Sequence, residues 1–167
     1  MQELIELEKD LLIWLGYDSS KFMVDTYDNL AKKYGVEELE HEHEEDLYKQ
    51  TPAFFITEFP ELTSPFWNMK RDYDKNVANK VDVILSGQET IGSAEREVDK
   101  DEMRKRFNTI MEGGYRDKLY ELFGSERTEK EMDDYLEFNF MKRCGGGIGM
   151  TRLIRSMKME GLIKDTN

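Results

Sequence analysis

Leu4, Leu7, Leu11 and Leu15, with Ile5 and Leu12 beside them, recur through the first residues at helical spacing with charged side chains between. That stripe predicts an amphipathic helix from Gln2 that ends at Gly16. Asp25-Thr26 ahead of Tyr27 predicts a short capped helix to Tyr34, stopped by Gly35. Val36 to Lys49, VEELEHEHEEDLYK, reads as an acidic, solvated helix. Its His41 and His43 stand at i and i+2 and point apart, so they do not form a metal pair. At Ala53 the period changes, and Ala53 to Thr57 predicts a buried strand behind Pro52. Phe66 to Met69 reads as further extended structure, and Lys70 to Asn79, KRDYDKNVAN, as a mobile polar loop.

The centre of the chain, KVDVILSGQETIGSAERE from Lys80 to Glu97, predicts a hairpin. Val81, Val83 and Leu85 alternate with Asp82 and Ile84, and Ser86-Gly87-Gln88 suits a tight turn. The second arm puts Glu89, Ile91, Ser93 and Glu95 on one face and Thr90, Gly92, Ala94 and Arg96 on the other. Such a hairpin brings Asp82, Glu89 and Arg96 toward one concave surface. Carboxylates so spaced can hold magnesium on a nucleotide phosphate, and Arg can grip a carboxylate with two parallel hydrogen bonds. The same pattern also describes an edge hairpin whose charges sit in water. Downstream, Asp99 caps a predicted helix to Met111, Gly113-Gly114 break it, and Tyr115 to Phe123 resumes helix until Gly124. Thr128 caps another, to about Phe140, and Thr151 to Met159 is the last.

Composition narrows the class. A chain of 167 residues is read as one domain, residues 1–167, and its 9 Phe and 8 Tyr supply a core. The net charge of −12 excludes nucleic-acid binding by electrostatics alone, so any tRNA contact needs a local basic patch or another chain. A lone Cys144 leaves no internal disulfide, no apolar run reaches membrane length, and the expected location is cytoplasmic.

Asp82…Glu89…Ser93…Arg96…Glu97, together with Gly145-Gly146-Gly147-Ile148-Gly149 and then Arg152-Leu153, resembles the C-terminal half of a class II aminoacyl-tRNA synthetase core. The branch is the aspartate/asparagine/lysine one, with the asparaginyl type closest. Ala53 to Pro60 and Ser64 to Trp67 are similar to that family's strand and loop before the hairpin, so the resemblance covers roughly Asp25 to Met157. It implies an α+β fold, a mainly antiparallel sheet flanked by helices, and ATP-dependent activation of asparagine or aspartate through an aminoacyl adenylate. By the same resemblance Asp82 and Glu89 hold Mg2+ on the ATP phosphates, and Arg152 binds the γ-phosphate at a helix N-terminus. Gly147 and Gly149 let the backbone pass under the adenosine, Arg96 binds the substrate side chain, and Ser93 lines the pocket wall. Acidic residues near Glu42 and Glu44 fall at the pocket rim. As a mere helix-entry turn, four glycines in five residues would cost about 0.5–1 kcal/mol each relative to Ala. That cost favours a nucleotide site, working or vestigial.

The pattern also departs from the family. Of three signature motifs only the third is found; the first two, which carry the dimer interface and an Arg for the α-phosphate, belong upstream of the opening helix. Without that Arg the chain alone is expected to be a weak or inactive catalyst: a fragment, a half of a split enzyme, or a subunit completed by a second chain or homodimer. The glycine motif matches ammonia-dependent asparagine synthetase equally well, and a non-catalytic paralogue is a third reading. Acceptor and amino acid stay open.

Overall fold

The computed structural model describes residues 1–164. Its helices are α1 (Gln2–Trp14), α2 (Tyr27–Tyr34), α3 (His41–Gln50), α4 (Lys100–Thr109), α5 (Gly114–Phe123), α6 (Ser125–Leu136) and α7 (Met150–Met159). Six strands among the described residues, β1 (Met23–Thr26), β2 (Ala53–Pro60), β3 (Arg71–Asp72), β4 (Val77–Leu85), β5 (Gln88–Arg96) and β6 (Arg143–Ile148), form one sheet. They run in the order β1-β2-β4-β5-β6, with β3 beside β4. The β1–β2 pair is parallel and the other four pairs are antiparallel. The expected α+β architecture is thus present.

The hairpin turn explains itself locally. Ser86 (φ 49°) and Gly87 (φ 75°) both take positive φ, the geometry of the mirror-image turns whose twist matches the flanking strands. A Cβ on Gly87 would also lie 3.2 Å from the Glu45 Cα, so α3 can pack over the turn only because that residue is glycine.

Three apolar clusters fix the layers. On one sheet face Leu4, Ile5 and Leu12 of α1 and Leu153 of α7 cover Phe55, Val81, Val83, Leu85 and Ile91. The Tyr17 hydroxyl donates to Ser156 Oγ at 2.7 Å and ties the end of α1 to α7. On the other face α2 and α3 cover only the β2–β4 side, through Leu30, Ala31 and Leu47 against Phe54, Ile56 and Ile84. Trp67, Met103, Phe107, Met132 and Leu136 form a separate cluster inside the C-terminal helices. Among the described residues no apolar cluster covers that second face along β5 and β6, and the candidate site lies there. Nor is any helix among them long and apolar enough to cross a membrane.

Several boundaries differ from the sequence reading. The acidic helix starts at His41, not Val36, because the Glu40 N–H donates to His43 Nδ1 at 2.8 Å and fixes the helix start there. Lys70 to Asn79 is no loop: Arg71 is buried in β3, donating to Glu61 and to the carbonyls of Pro65, Phe66 and Met69. Phe66 to Met69 is a turn with one bridge, Met69 to Arg96. Met111 and Glu112 take positive φ and end α4 at Thr109. Thr128 lies inside α6, its hydroxyl donating to the Gly124 carbonyl at 2.9 Å. The sequence pattern does not announce strands β1 and β6; β6 is glycine-rich and β1 has only four residues.

One buried acid in this framework couples stability to pH. Glu8 on α1 is buried, accepts from Ser93 Oγ at 2.5 Å, and leaves Oε2 without a partner among the described residues. Burial pushes its pKa above the ordinary carboxylate value of 4.5, and the Ser93 hydrogen bond only partly opposes it. A carboxyl with a raised folded pKa contributes stability that is full below its unfolded pKa and lost as pH rises through the folded one. Glu8→Gln is therefore expected to give a Tm that falls less than wild type on going from pH 5 to pH 8, measured by circular dichroism melts; a steeper fall would contradict this assignment.

Candidate active site

Strand parity alone would put Glu89 on the same face as Ile91, under α1. The ladder does otherwise. Val83 pairs with Ile91 while Ile84 pairs with Glu89, which leaves Thr90 as an extra residue in β5. This bulge turns Glu89 to the open face, where Asp82 stands opposite Gly92. A Cβ at residue 92 would lie 2.5 Å from Glu89 Oε1 and 3.4 Å from Asp82 Oδ1, so both carboxylates lean over the glycine.

The electrostatics of this acidic end follow from burial. Asp82 is buried and its pKa is pushed up to about 7, chiefly by desolvation; Lys80 opposes the shift, while Glu89 and Glu44 add to it. Lys80 pairs with Asp82 Oδ2 and lies 3.9 Å from the centre of the Phe59 ring. Asp82 Oδ1 is buried and has no hydrogen-bond partner among the described residues. Glu44, from α3, accepts the Glu89 N–H at 3.2 Å, and burial raises its pKa as well.

A floor almost bare of side chains runs away from the acids. Gly92 pairs with Gly147 and Ala94 with Gly145, all on this face, and no described residue lies within 4 Å of where a Gly147 Cβ would be. Arg96 sits at the far end, donating to Asn68 Oδ1 at 3.0 Å and to the Gly145 carbonyl at 2.9 Å. Arg143 is its direct cross-strand partner. At the hairpin tip, Gly149 donates to the Thr90 carbonyl at 2.8 Å and caps α7, and Arg152 in the first turn donates to the Glu89 carbonyl at 2.5 Å. A Cβ on Gly149 would meet Arg152 Cδ at 3.4 Å and the Thr90 carbonyl at 3.5 Å.

Of the residues picked from sequence, Asp82, Glu89, Gly147 and Arg96 share this face, with Gly149 and Arg152 at its acidic end. Ser93 does not join them. It pairs with Val81 and Gly146 on the opposite face and is buried against Glu8 of α1, so it forms no wall of this surface. The hairpin pattern assigns Ser93 its correct parity, and the bulge moves Glu89 away from it. Sequence reasoning misses Gly92 and Lys80, gives Glu44 only a rim position, and leaves Arg143 in a connecting segment. A glycine three residues past Glu89 is the one available signal.

The donor set suits a hard divalent ion. Two carboxylates converge, one with an orphaned buried oxygen, and both are oxygen ligands. Among the described residues no three His, Cys, Asp or Glu side chains are arranged to cage a metal. Magnesium is typically held by one or two carboxylates while substrate phosphates and water complete its octahedron.

Comparison with known proteins bears on the family and the fold. The family model described as "tRNA synthetases class II (D, K and N)" matches residues 3–167. No curated protein sequence matches the chain. Among solved structures, asparaginyl-tRNA synthetase from Pyrococcus horikoshii complexed with asparaginyl-adenylate is 23% identical, with a TM-score of 0.61 over 93% of this chain and 37% of that one. Asparaginyl-tRNA synthetase from Entamoeba histolytica, also in complex with asparaginyl-adenylate, is 17% identical, with a TM-score of 0.63 over 84% and 32%. The aspartyl enzyme of Entamoeba histolytica is 23% identical, with a TM-score of 0.58 over 81% and 28%. The chain therefore spans under half of the length of each of these relatives. With a family match running nearly from end to end and the fold shared with these structures, this chain belongs to the class II tRNA synthetases of the aspartate, lysine and asparagine type.

Proposed function

We propose that this face binds ATP and an amino acid, asparagine or aspartate, and supports aminoacyl-adenylate formation in an aminoacyl-tRNA ligase of the cytoplasm. The observation that carries the reading is the convergence of the Asp82 and Glu89 carboxylates over Gly92, at one end of a glycine floor that leads to Arg96. Asp82 and Glu89 would hold Mg2+, which neutralises charge on the triphosphate when bound. Arg152 would take the γ-phosphate; its guanidinium has donors beyond the one given to Glu89, and the N-terminus of α7 adds a favourable dipole. Gly147 and Gly149 leave backbone where an adenosine can lie close. Arg96 would orient the amino-acid side chain so that its α-carboxylate meets the α-phosphate, which is catalysis by positioning and charge neutralisation. A second chain or a second copy, adding strands beside the open edge of β6, would complete the core and let tRNA serve as acceptor.

Two experiments test this reading. Calorimetric titration should show ATP binding that needs Mg2+; Arg152→Ala should weaken it about tenfold, and Glu89→Gln should remove most of the magnesium dependence. Unchanged affinity in both variants would remove the site. Pyrophosphate exchange dependent on asparagine or aspartate, weak in the chain alone and raised by a completing partner, would mark the adenylate step. Ammonia consumption with aspartate would instead mark asparagine synthesis, and no ATP binding at all a non-catalytic paralogue.

A proton on Asp82 competes with the metal. Its pKa of about 7 means that the magnesium-dependent part of ATP affinity should strengthen as pH rises through about 7, and Asp82→Asn should abolish that rise. A magnesium effect that is flat or weakens over the same range, measured by calorimetry, would contradict the ligand assignment.

A further inference from the structure

The basic end of the same face carries a feature that the adenylate reading does not use. Arg96 and Arg143 are direct cross-strand neighbours on β5 and β6. Like charges in that relation destabilise a sheet, and arginine cannot relieve the repulsion by losing its proton. Among the described residues neither guanidinium lies within ion-pair distance of a carboxylate. The conflict shows in Arg96, whose pKa is lowered first by burial and next by the charge of Arg143.

The surroundings offer donors in surplus. Arg96 already uses the Asn68 amide oxygen and the Gly145 carbonyl. Arg143 makes only long contacts, to the Met141 carbonyl at 3.3 Å and to the Tyr135 hydroxyl at 3.4 Å, and lies over the Phe140 ring. Both face a cavity of about 490 Å³ lined also by Phe66, Asn68, Met69 and Tyr135. That volume suits a small metabolite. In a chain of net charge −12, an aromatic-walled cavity lined by two guanidiniums and no carboxylate has the chemistry to take an anion.

We propose that Arg143 joins Arg96 as a specificity-determining residue, and that the pair selects a carboxylate over an amide in the substrate side chain, so that aspartate rather than asparagine is the amino acid this site takes. A carboxylate accepts from both guanidiniums and cancels their repulsion. An amide accepts through one oxygen only, and its NH2 group would turn a third donor against donors. The inference rests on the proposed adenylate site for its place in the reaction, but the anion preference is a property of the cavity itself.

The test therefore has two arms. The full chain, wild type and Arg143→Gln, is titrated with L-aspartate and L-asparagine in the presence of ATP and Mg2+, and with succinate and succinamate in their absence. Wild type should bind aspartate over asparagine, and succinate over succinamate, by about tenfold, and Arg143→Gln should narrow each ratio to about twofold with the amide affinities unchanged. Equal binding of acid and amide, or no binding of either in both arms, overturns the proposal. Loss of ATP binding with the succinate preference intact would count against the adenylate reading and not against the Arg96–Arg143 pair.

Discussion

One irregularity in the β4–β5 ladder decides what the open face can do. Two carboxylates repel, and holding a half-buried one against a buried one costs free energy unless a cation or a proton compensates. The extra residue at Thr90 nevertheless turns Glu89 toward Asp82, with only the hydrogen of Gly92 between them and the sheet. Lys80 compensates one oxygen of Asp82 and leaves the other unpaired among the described residues. A framework held by Val81, Val83 and Ile91 on the opposite face keeps the strands from slipping to relieve the repulsion. That combination, costly for stability alone, is what the proposed cation site rests on.

The face is polarised along its length. Asp82, Glu89 and Glu44 stand at one end, Arg96 and Arg143 at the other, and nearly bare backbone lies between. Such an arrangement suits two anionic groups that must be brought together, one neutralised through a metal and the other by guanidinium. The cover over the rest of that sheet face stops at the Leu47–Ile84 cluster, and the C-terminal helices pack among themselves around Trp67 and Phe107. Access is thus built into the layering. On the opposite side α1 buries Ser93 together with Glu8, so Ser93 adjoins Gly92 in sequence yet lies on the far side of the sheet from the acids.

Much of this is legible in the sequence, and the exceptions share a cause. The leucine stripe of α1, the Thr26 cap and Gly35 stop of α2, and the Ser86-Gly87 turn are local, and local chemistry sets them. The hairpin is also readable, from its alternation and its turn, whereas Asp82, Glu89, Arg96 and Arg152 stand out together only through the resemblance to the family's motifs. What cannot be read depends on partners distant in sequence. The bulge at Thr90 is a matter of register between strands, and it alone decides which face Glu89 takes. Arg71 looks like part of a polar loop because its four acceptors come from the fold around it. Strand β6 looks like a glycine turn because its pairing with β5 lies about fifty residues away in sequence. Arg143 acquires meaning only when that pairing sets it opposite Arg96.

The central claim is that Asp82 and Glu89 hold one metal ion against a triphosphate on the glycine floor. Anomalous diffraction from crystals of the chain grown with ATP and manganese tests it most directly. The expected map has a single manganese peak bridging the two carboxylates and the phosphates, with the nucleotide lying along Gly147 and Arg152 on its tail. A nucleotide or manganese peak elsewhere, with Asp82 and Glu89 bound to neither, would contradict it.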